Sequence, residues 1–312
     1  MKVIFMGTPD FSVGTLEALV DAGHEVVLAV TQPDKPKGRG KEMQFTPVKE
    51  CALKFNIPVY QPRRVREPEC IEELRKYEAD IMVVVAFGQI LPKEILEMCE
   101  YGCVNVHASL LPKYRGAAPI QWAIIDGEEV TGVTTMQMDE GLDTGDMLLK
   151  TEIPMDSKET GGSLHDKLSE AGAKLCVETL KALEEKTVTP IPQGETTTAY
   201  AKMLDKQLGN IDWSKDARAI ERLIRGLSPW PSAYTNWNEK VMKIWDASAI
   251  EEIEIAEGKA PGTIVKVEKD AFYVQTGDGF LKVCELQIPG KKRMDAGAFM
   301  RGYQVREGEI IG

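Results

Sequence analysis

The run IMVVVAF, residues 81–87, restricts the fold more than any other stretch. It is apolar throughout, rich in β-branched residues and without alternation. A strand reads this way when both of its faces are covered, as in the middle of a parallel sheet. Its surroundings fit that demand. KVIFMG near the start is a first buried strand and EVVLAVTQ a second; between them Val13, Leu16, Leu19 and Val20 recur at helical spacing. Gly23 closes that helix at its C′ position. VKECALKF, VREPECIEELRKYEA and PKEILEMC read as helices, and VNVHAS, GVTTMQM and MLLKTEIPM as strands. Leu164, Leu168, Leu175, Leu180 and Leu183 mark one long amphipathic helix ending near Lys186. Strands and helices alternating at βαβ spacing predict an α/β fold over residues 1–188, a Rossmann-like, mostly parallel open sheet with helices on both sides.

The pattern then changes. TVTPIPQGETTT lacks periodicity and reads as a linker, residues 189–206. Residues 207–312 begin with a helix at 217–225. Short strands follow (KVMKIWDA, GTIVKV, AFYVQT, FLKVCELQI), separated by turns such as TGDG. They predict a smaller C-terminal β-barrel, OB-like in type.

Charge limits the choice of partners. The chain of 312 residues carries a net charge of -11, which argues against a surface that grips nucleic acid everywhere. The imbalance is local: from Gln207 onward 15 basic residues meet 16 acidic ones, and the remainder holds 23 against 33. A polyanionic partner would need basic patches. The six cysteines are scattered and read as reduced structural thiols; Cys99 and Cys103 are the only close pair, and nothing completes a zinc site, so no metal is expected. No run reaches the ~20 apolar residues that span a bilayer. The N-terminus meets Gly, Pro and Asp before a signal-length apolar run develops, so a cytoplasmic protein with no membrane partner is expected.

Three polar side chains stand out. Asn105 and His107 lie two apart at the end of a strand and so look out from the same face. Open α/β sheets place ligands at the carboxyl ends of their strands. About thirty residues on, the loop MDEGLDTGD can bring a carboxylate, Asp143, to the imidazole. A carboxylate beside an imidazole favours its charged form and orients it, and an Asn amide can donate to a developing oxyanion. No Ser or Cys nucleophile lies nearby, so direct attack by a substrate amine or by water is the chemistry that fits. The early GTPDFS lacks the G-x-G-x-x-G spacing of a dinucleotide site and reads as a tight strand-to-helix turn capped by Asp10 or Ser12.

The stretch NVHASLLPKYRGAAPIQWAIIDGEEVTGVTTMQMDEGLDTGDML resembles the signature of the 10-formyltetrahydrofolate-dependent formyltransferases over more than forty contiguous residues. The resemblance implies Asn105, His107 and Asp143 as the catalytic trio. It implies Ser109, Leu110, Leu111 and Pro112 as the folate-binding segment, and 10-formyltetrahydrofolate as the formyl donor. MGTPDFS, TQPDKPKGRGK (residues 31–41) and IDWSKDARAIERLIRGLSPWPSAYT (residues 211–235) resemble the branch of that family whose acceptor is the α-amine of initiator methionyl-tRNA. On that reading the basic loop with Lys35, Lys37, Arg39 and Lys41 meets the acceptor arm, Arg39 foremost, and Lys291, Lys292 and Arg293 form a second basic contact. Trp213, Trp230, Trp237 and Trp245 read as packing rather than base-stacking residues. Two alternatives stand beside this one: a formyltransferase acting on a sugar-nucleotide amine, which has no need of the basic loop, and a folate- or RNA-binding module without catalysis, which has no need of the trio.

Overall fold

The computed structural model describes residues 1–37, 42–254 and 259–312. Its contacts divide the chain into two compact units, the first made of Met1–Pro119, Val130–Pro154 and His165–Ala201, the second of Ile120–Glu129, Met155–Leu164 and Lys202–Gly312.

In chain order the elements are β1 (Lys2–Gly7), α1 (Val13–Asp21), β2 (Glu25–Val30), β3 (Lys35–Lys37), β4 (Glu42–Gln44), α2 (Pro47–Lys54), β5 (Val59–Tyr60) and α3 (Pro68–Arg75). There follow β6 (Ile81–Val85), α4 (Lys93–Leu96), β7 (Cys103–His107), α5 (Pro119–Asp126), β8 (Val130–Gln137), β9 (Met147–Pro154) and α6 (Gly161–Glu184). The main sheet has the order β5-β2-β1-β6-β7-β8-β9. The strand expected at its centre, β6, lies there with every residue buried. Burying one such Val or Ile side chain contributes about 1.5–3 kcal/mol. The first five strands of that order run parallel, and β8 and β9 pair antiparallel at one edge.

Alternate residues feed two layers. Ile4, Met6, Leu28, Met82 and Val84 join Leu74 of α3 and Ile95 of α4 on one face. On the other face α6 comes close enough that a Cβ at Gly172 would lie 3.0 Å from Val106, and Thr179 meets the Thr135 hydroxyl at 2.8 Å. The chain winds from β1 to β5 on one side and crosses to β6 and β7 on the other. The carboxyl ends of β1 and β6 therefore flank a topological switch point. There Thr8 donates to the Phe87 carbonyl at 3.0 Å and Ser12 to the Val85 carbonyl at 2.6 Å. Ser12, expected as a helix cap, is thus spent on tying the turn to β6, and α1 starts without a side-chain cap.

The basic loop is not featureless. β3 and β4 pair antiparallel, Lys35 opposite Gln44 and Lys37 opposite Glu42. Helix α2 begins after Thr46, whose hydroxyl accepts from the Lys49 amide, the usual service of an N-cap threonine.

The second unit contains α7 (Ala217–Gly226), β10 (Ala233–Trp237), β11 (Lys240–Ile250), β12 (Ile264–Val267), β13 (Phe272–Gln275), β14 (Phe280–Gln287), β15 (Met294–Asp295) and α8 (Ala296–Gly302). Its strands follow the antiparallel order β10-β11-β14-β13-β12, with β15 on β14. Register shifts in β11 and β12 bend the sheet around one core that includes Trp213, Trp237, Phe272 and Phe299. The strands form the C-terminal antiparallel sheet domain, and among the described residues no β10–β12 pairing closes it. Trp213 and Trp237 are buried as expected, whereas Trp230 is 56% exposed. All six cysteines are free thiols; burial pushes Cys51 and Cys99 up to about 11, which keeps them protonated and unreactive at neutral pH. Among the described residues no helix is long and apolar enough to cross a membrane.

Candidate active site

The site begins on β7. Asn105 pairs with Met136 and His107 with Thr134 of β8, and Thr134 in turn with Lys150 of β9. His107, Thr134 and Lys150 therefore stand side by side across three strands. His107 is 6% exposed, and its Nε2 lies 3.0 Å from the Tyr114 carbonyl. A carbonyl can only accept, so Nε2 carries a proton and the variable nitrogen is Nδ1. Nδ1 points at Asp143, with 3.8 Å to Oδ1. Asn105 is half-buried, and its amide makes no hydrogen bond to another described residue, which leaves two donors for a ligand.

Residues 109–112 follow as a tight loop, and Thr134 is its post. The Thr134 hydroxyl donates to the Ser109 carbonyl at 2.7 Å and accepts from the Leu111 amide at 3.0 Å. Ser109 donates to the Lys113 carbonyl at 2.6 Å, and Lys150 donates to the Leu111 carbonyl at 2.5 Å. Burial lowers the pKa of the Lys150 ammonium, a cost set against that contact. The Leu111–Pro112 peptide is cis. The four residues differ in what they can do: Ser109 and Leu111 are fully buried and hold the loop, while Leu110 and Pro112 are half-buried and offer surface to a ligand.

Asp143 is delivered by different means. It sits between β8 and β9 in the left-handed region, at φ 56°. Asp139 organises the turn, accepting from the Gly141 amide at 3.0 Å and from the Thr144 hydroxyl at 2.7 Å. At Gly145 the backbone passes so close to the Gln137 carbonyl that a Cβ would lie 1.8 Å from it. Asp143 Oδ2 accepts from the Gly116 amide at 2.9 Å. Gly116 itself has φ 126° and lies against the Ala201 carbonyl, 2.6 Å from where a Cβ would be, so a side chain there would be strained and crowded.

Sequence reasoning missed the supports. Thr134, Lys150, Arg115, Gln193 and Thr198 were not singled out, yet each holds a loop of the site. The last two lie in the segment expected to be a linker. Gln193 Nε2 donates to the carbonyls of Asp143 and Gly145 at 2.8 and 2.7 Å, and Thr198 accepts from the Tyr114 amide at 2.7 Å. The signals present there were a polar, Thr- and Gln-bearing composition and the resemblance of its PQ and AYAKM pieces to the family. Tyr200 also borders the site: burial, and next the charge of Asp143, push its phenol up.

The basic residues are placed less completely. Lys35 is exposed on β3 and Lys37 ends that strand, whereas Arg39 and Lys41 lie outside the described residues. The base of the hairpin is braced by Lys49, which donates to Asp34 at 2.5 Å and to Gln61 at 2.9 Å. The bond from Lys49 and a second from the Gln61 amide, which donates to Asp34 Oδ1 at 2.7 Å, hold the Asp34 carboxyl below its usual range. Lys291 and Lys292 are exposed; Arg293 pairs with Glu285 and lies 5.3 Å above the Trp245 ring. Among the described residues no group of three or more metal-ligating side chains occurs.

A half-buried donor amide, an oriented imidazole and a facing carboxylate at the carboxyl edge of an open sheet suit the transfer of a small carbonyl group. The comparisons with known proteins agree with that class. The formyl transferase family model matches residues 1–180, and the model of the formyl transferase C-terminal domain matches residues 203–304. The chain belongs to the formyl transferase family. It is 62% identical over 311 residues to the methionyl-tRNA formyltransferase of Agathobacter rectalis, covering 100% of this chain and 99% of that one. It is 52% identical to the protein of that name from Clostridioides difficile, with 100% of both chains covered. Among solved structures, the N-formyltransferase of Helicobacter canadensis with folinic acid and dTDP-3-aminofucose superposes with a TM-score of 0.69 at 19% identity, covering 92% of this chain and all of that one. HypX from Aquifex aeolicus with tetrahydrofolic acid gives 0.63 at 18% identity, over 96% of this chain and 47% of that one. At such identities these two describe the fold.

Proposed function

We propose that the protein transfers the formyl group of 10-formyltetrahydrofolate to the α-amine of methionine carried on initiator tRNA, in the cytoplasm. The observation that carries this reading is the approach of His107 Nδ1 to Asp143 Oδ1, 3.8 Å apart, by two segments thirty-odd residues separated in sequence. Full-length similarity to proteins named methionyl-tRNA formyltransferase supports the choice of acceptor.

The amine attacks the formyl carbon and a C–N bond forms. The carbonyl oxygen takes the electron pair as an oxyanion. Collapse of that intermediate breaks the bond to N10, which leaves with a proton as tetrahydrofolate, while the amine loses one. Asn105 donates its amide to the oxyanion, a role whose removal costs about 10²–10³-fold in known cases. His107 acts through Nδ1, because Nε2 is held by Tyr114; with Nδ1 protonated it is the second donor to the oxyanion. Asp143 favours the charged ring, accepts the proton released by the amine and gives it up to N10 as that nitrogen departs, which regenerates the carboxylate. The separation of 3.8 Å exceeds a hydrogen bond, and such contacts tighten when substrate is bound. Leu110 and Pro112 line the folate side. The basic residues Lys35, Lys37, Arg39 and Lys41, and the cluster Lys291, Lys292 and Arg293, supply phosphate contacts. Of that cluster, Arg293 is already engaged by Glu285 and Trp245, so Lys291 and Lys292 carry most of the effect.

The test offers formyl-labelled donor together with methionyl initiator tRNA, methionyl elongator tRNA and an amino-sugar nucleotide. Label on the initiator methionine is the expected result; label confined to the sugar nucleotide overturns the proposal.

A further inference from the structure

We propose that Gln193 is a positioning residue for Asp143, and that residues 191–201 form a strap that completes the site. The inference rests on the formyl-transfer reading.

Asp139 ties Gly141 and Thr144 within the loop bearing Asp143, while the Asp143 and Gly145 carbonyls are held from outside it. Asp143 occupies a left-handed backbone conformation that a residue with a Cβ adopts at a cost. Its carbonyl and that of Gly145 both face Gln193, whose single amide nitrogen has two N–H groups and serves both, at 2.8 and 2.7 Å. The other end of the same amide turns the opposite way: Oε1 accepts from Arg115 Nε at 2.9 Å, and Arg115 also donates to the Gly194 carbonyl at 2.9 Å. Arg115 lies between Tyr114, whose carbonyl fixes the His107 ring, and Gly116, whose amide holds the Asp143 carboxylate. One side chain therefore joins the loop that orients the imidazole to the loop that carries the carboxylate.

The strap is laced down along its length. Ile191 exchanges both backbone hydrogen bonds with Met147, at 2.8 and 2.9 Å. Thr198 accepts from the Tyr114 amide. The Ala201 amide donates to the Arg115 carbonyl at 2.8 Å, and the Ala201 carbonyl accepts from the Ala117 amide at 2.8 Å. A segment that merely connected two domains would not be bonded at four positions, Gln193, Gly194, Thr198 and Ala201, to the two catalytic loops and at a fifth, Ile191, to the start of β9. Gln193 touches neither reacting group. It acts through the distance between His107 and Asp143, and a displacement of about 1 Å in such a pair can cost 10²-fold.

Gln193→Glu isolates this role. The carboxylate is isosteric and still accepts from Arg115, but it has no N–H for the two carbonyls. The measurement is steady-state transfer by the full chain, with thermal melting as a control. Expected are a kcat lowered on the order of 10- to 100-fold, KM values for donor and acceptor changed by less than about threefold, and little further loss when the change is added to Asp143→Asn, because the two act in series. Wild-type kcat in Gln193→Glu, or full additivity with Asp143→Asn, overturns the proposal. If Gln193→Glu does not fold, Gln193→Asn decides: its amide is one methylene short, so kcat must fall with KM preserved, and wild-type kcat overturns the assignment. Failure of the underlying reading looks different, since Asp143→Asn would then transfer at the wild-type rate.

Discussion

The two halves of the site are held in place by different physics. Asn105 and His107 stand on β7, fixed by a ladder whose register is set by buried Val104 and Val106 on the opposite face. A slip of one residue there would exchange every core and site side chain, so position is enforced by the whole sheet. Asp143 has no ladder. Its place is set by a positive φ, by Asp139, by the Gly116 amide and by a glutamine fifty residues on. A strand-borne group is positioned by the core and survives local change. A loop-borne group is positioned by a few named hydrogen bonds, each of which can be removed by one substitution.

That contrast can be tested in order of effect. His107→Ala removes the imidazole itself and should lower kcat by on the order of 10²–10⁴-fold, with a melting curve close to wild type; retained turnover would take His107 out of the scheme. Asn105→Ala should cost about 10²–10³-fold in kcat with the folate KM little changed, and a pure KM effect would make it a binding residue only. Thr134→Val strips the hydroxyl that serves Ser109 and Leu111 and leaves a buried carbonyl and amide unpaired, which should cost about 1–3 kcal/mol of stability in urea unfolding. An unchanged midpoint would show the loop does not depend on it. Lys150→Met loses one hydrogen bond to the Leu111 carbonyl and should raise the folate KM by about fivefold, the equivalent of about 1 kcal/mol, without altering kcat.

The smallest effect concerns pH. Hydrogen bonds from Lys49 and Gln61 hold the Asp34 carboxyl below its usual value. A carboxyl with a lowered folded-state pKa contributes stability above its unfolded pKa and loses it as pH falls through the folded one. Lys49→Met should therefore be less stable than wild type at neutral pH, and the two should converge in acid. A difference that stays constant from neutral to acid pH would assign the effect of Lys49 to its contact with Phe45, 3.9 Å from ring centroid to ammonium.

The same division decides what could be read from the residues. The period-2 geometry of β7 put Asn105 and His107 on one face, and the unbroken run at β6 announced the centre of the sheet, because alternation and burial are written directly in residue order. The loop half was legible as composition: Asp, Gly and Thr in MDEGLDTGD say turn, and their resemblance to a family signature said which carboxylate. Gln193 was legible only as part of a family-like PQ piece; its role was not, since a side chain that bonds backbone carbonyls leaves no periodic trace and sits in a stretch with the composition of a linker. The β3–β4 hairpin escaped for a related reason. Its strands are three residues each and polar, too short to show a period. The barrel was read from strand count and turn spacing, which cannot report whether the first and last strands pair.

The most direct measurement is a single turnover with both substrates bound, analysing the methionine released from initiator tRNA, for wild type and for Asp143→Asn. The account predicts formyl-methionine from the wild-type protein. It predicts a transfer rate lower by on the order of 10²–10⁴-fold in the variant, with tRNA affinity preserved. Methionine left unformylated by the wild-type protein, or an undiminished rate in Asp143→Asn, would contradict it.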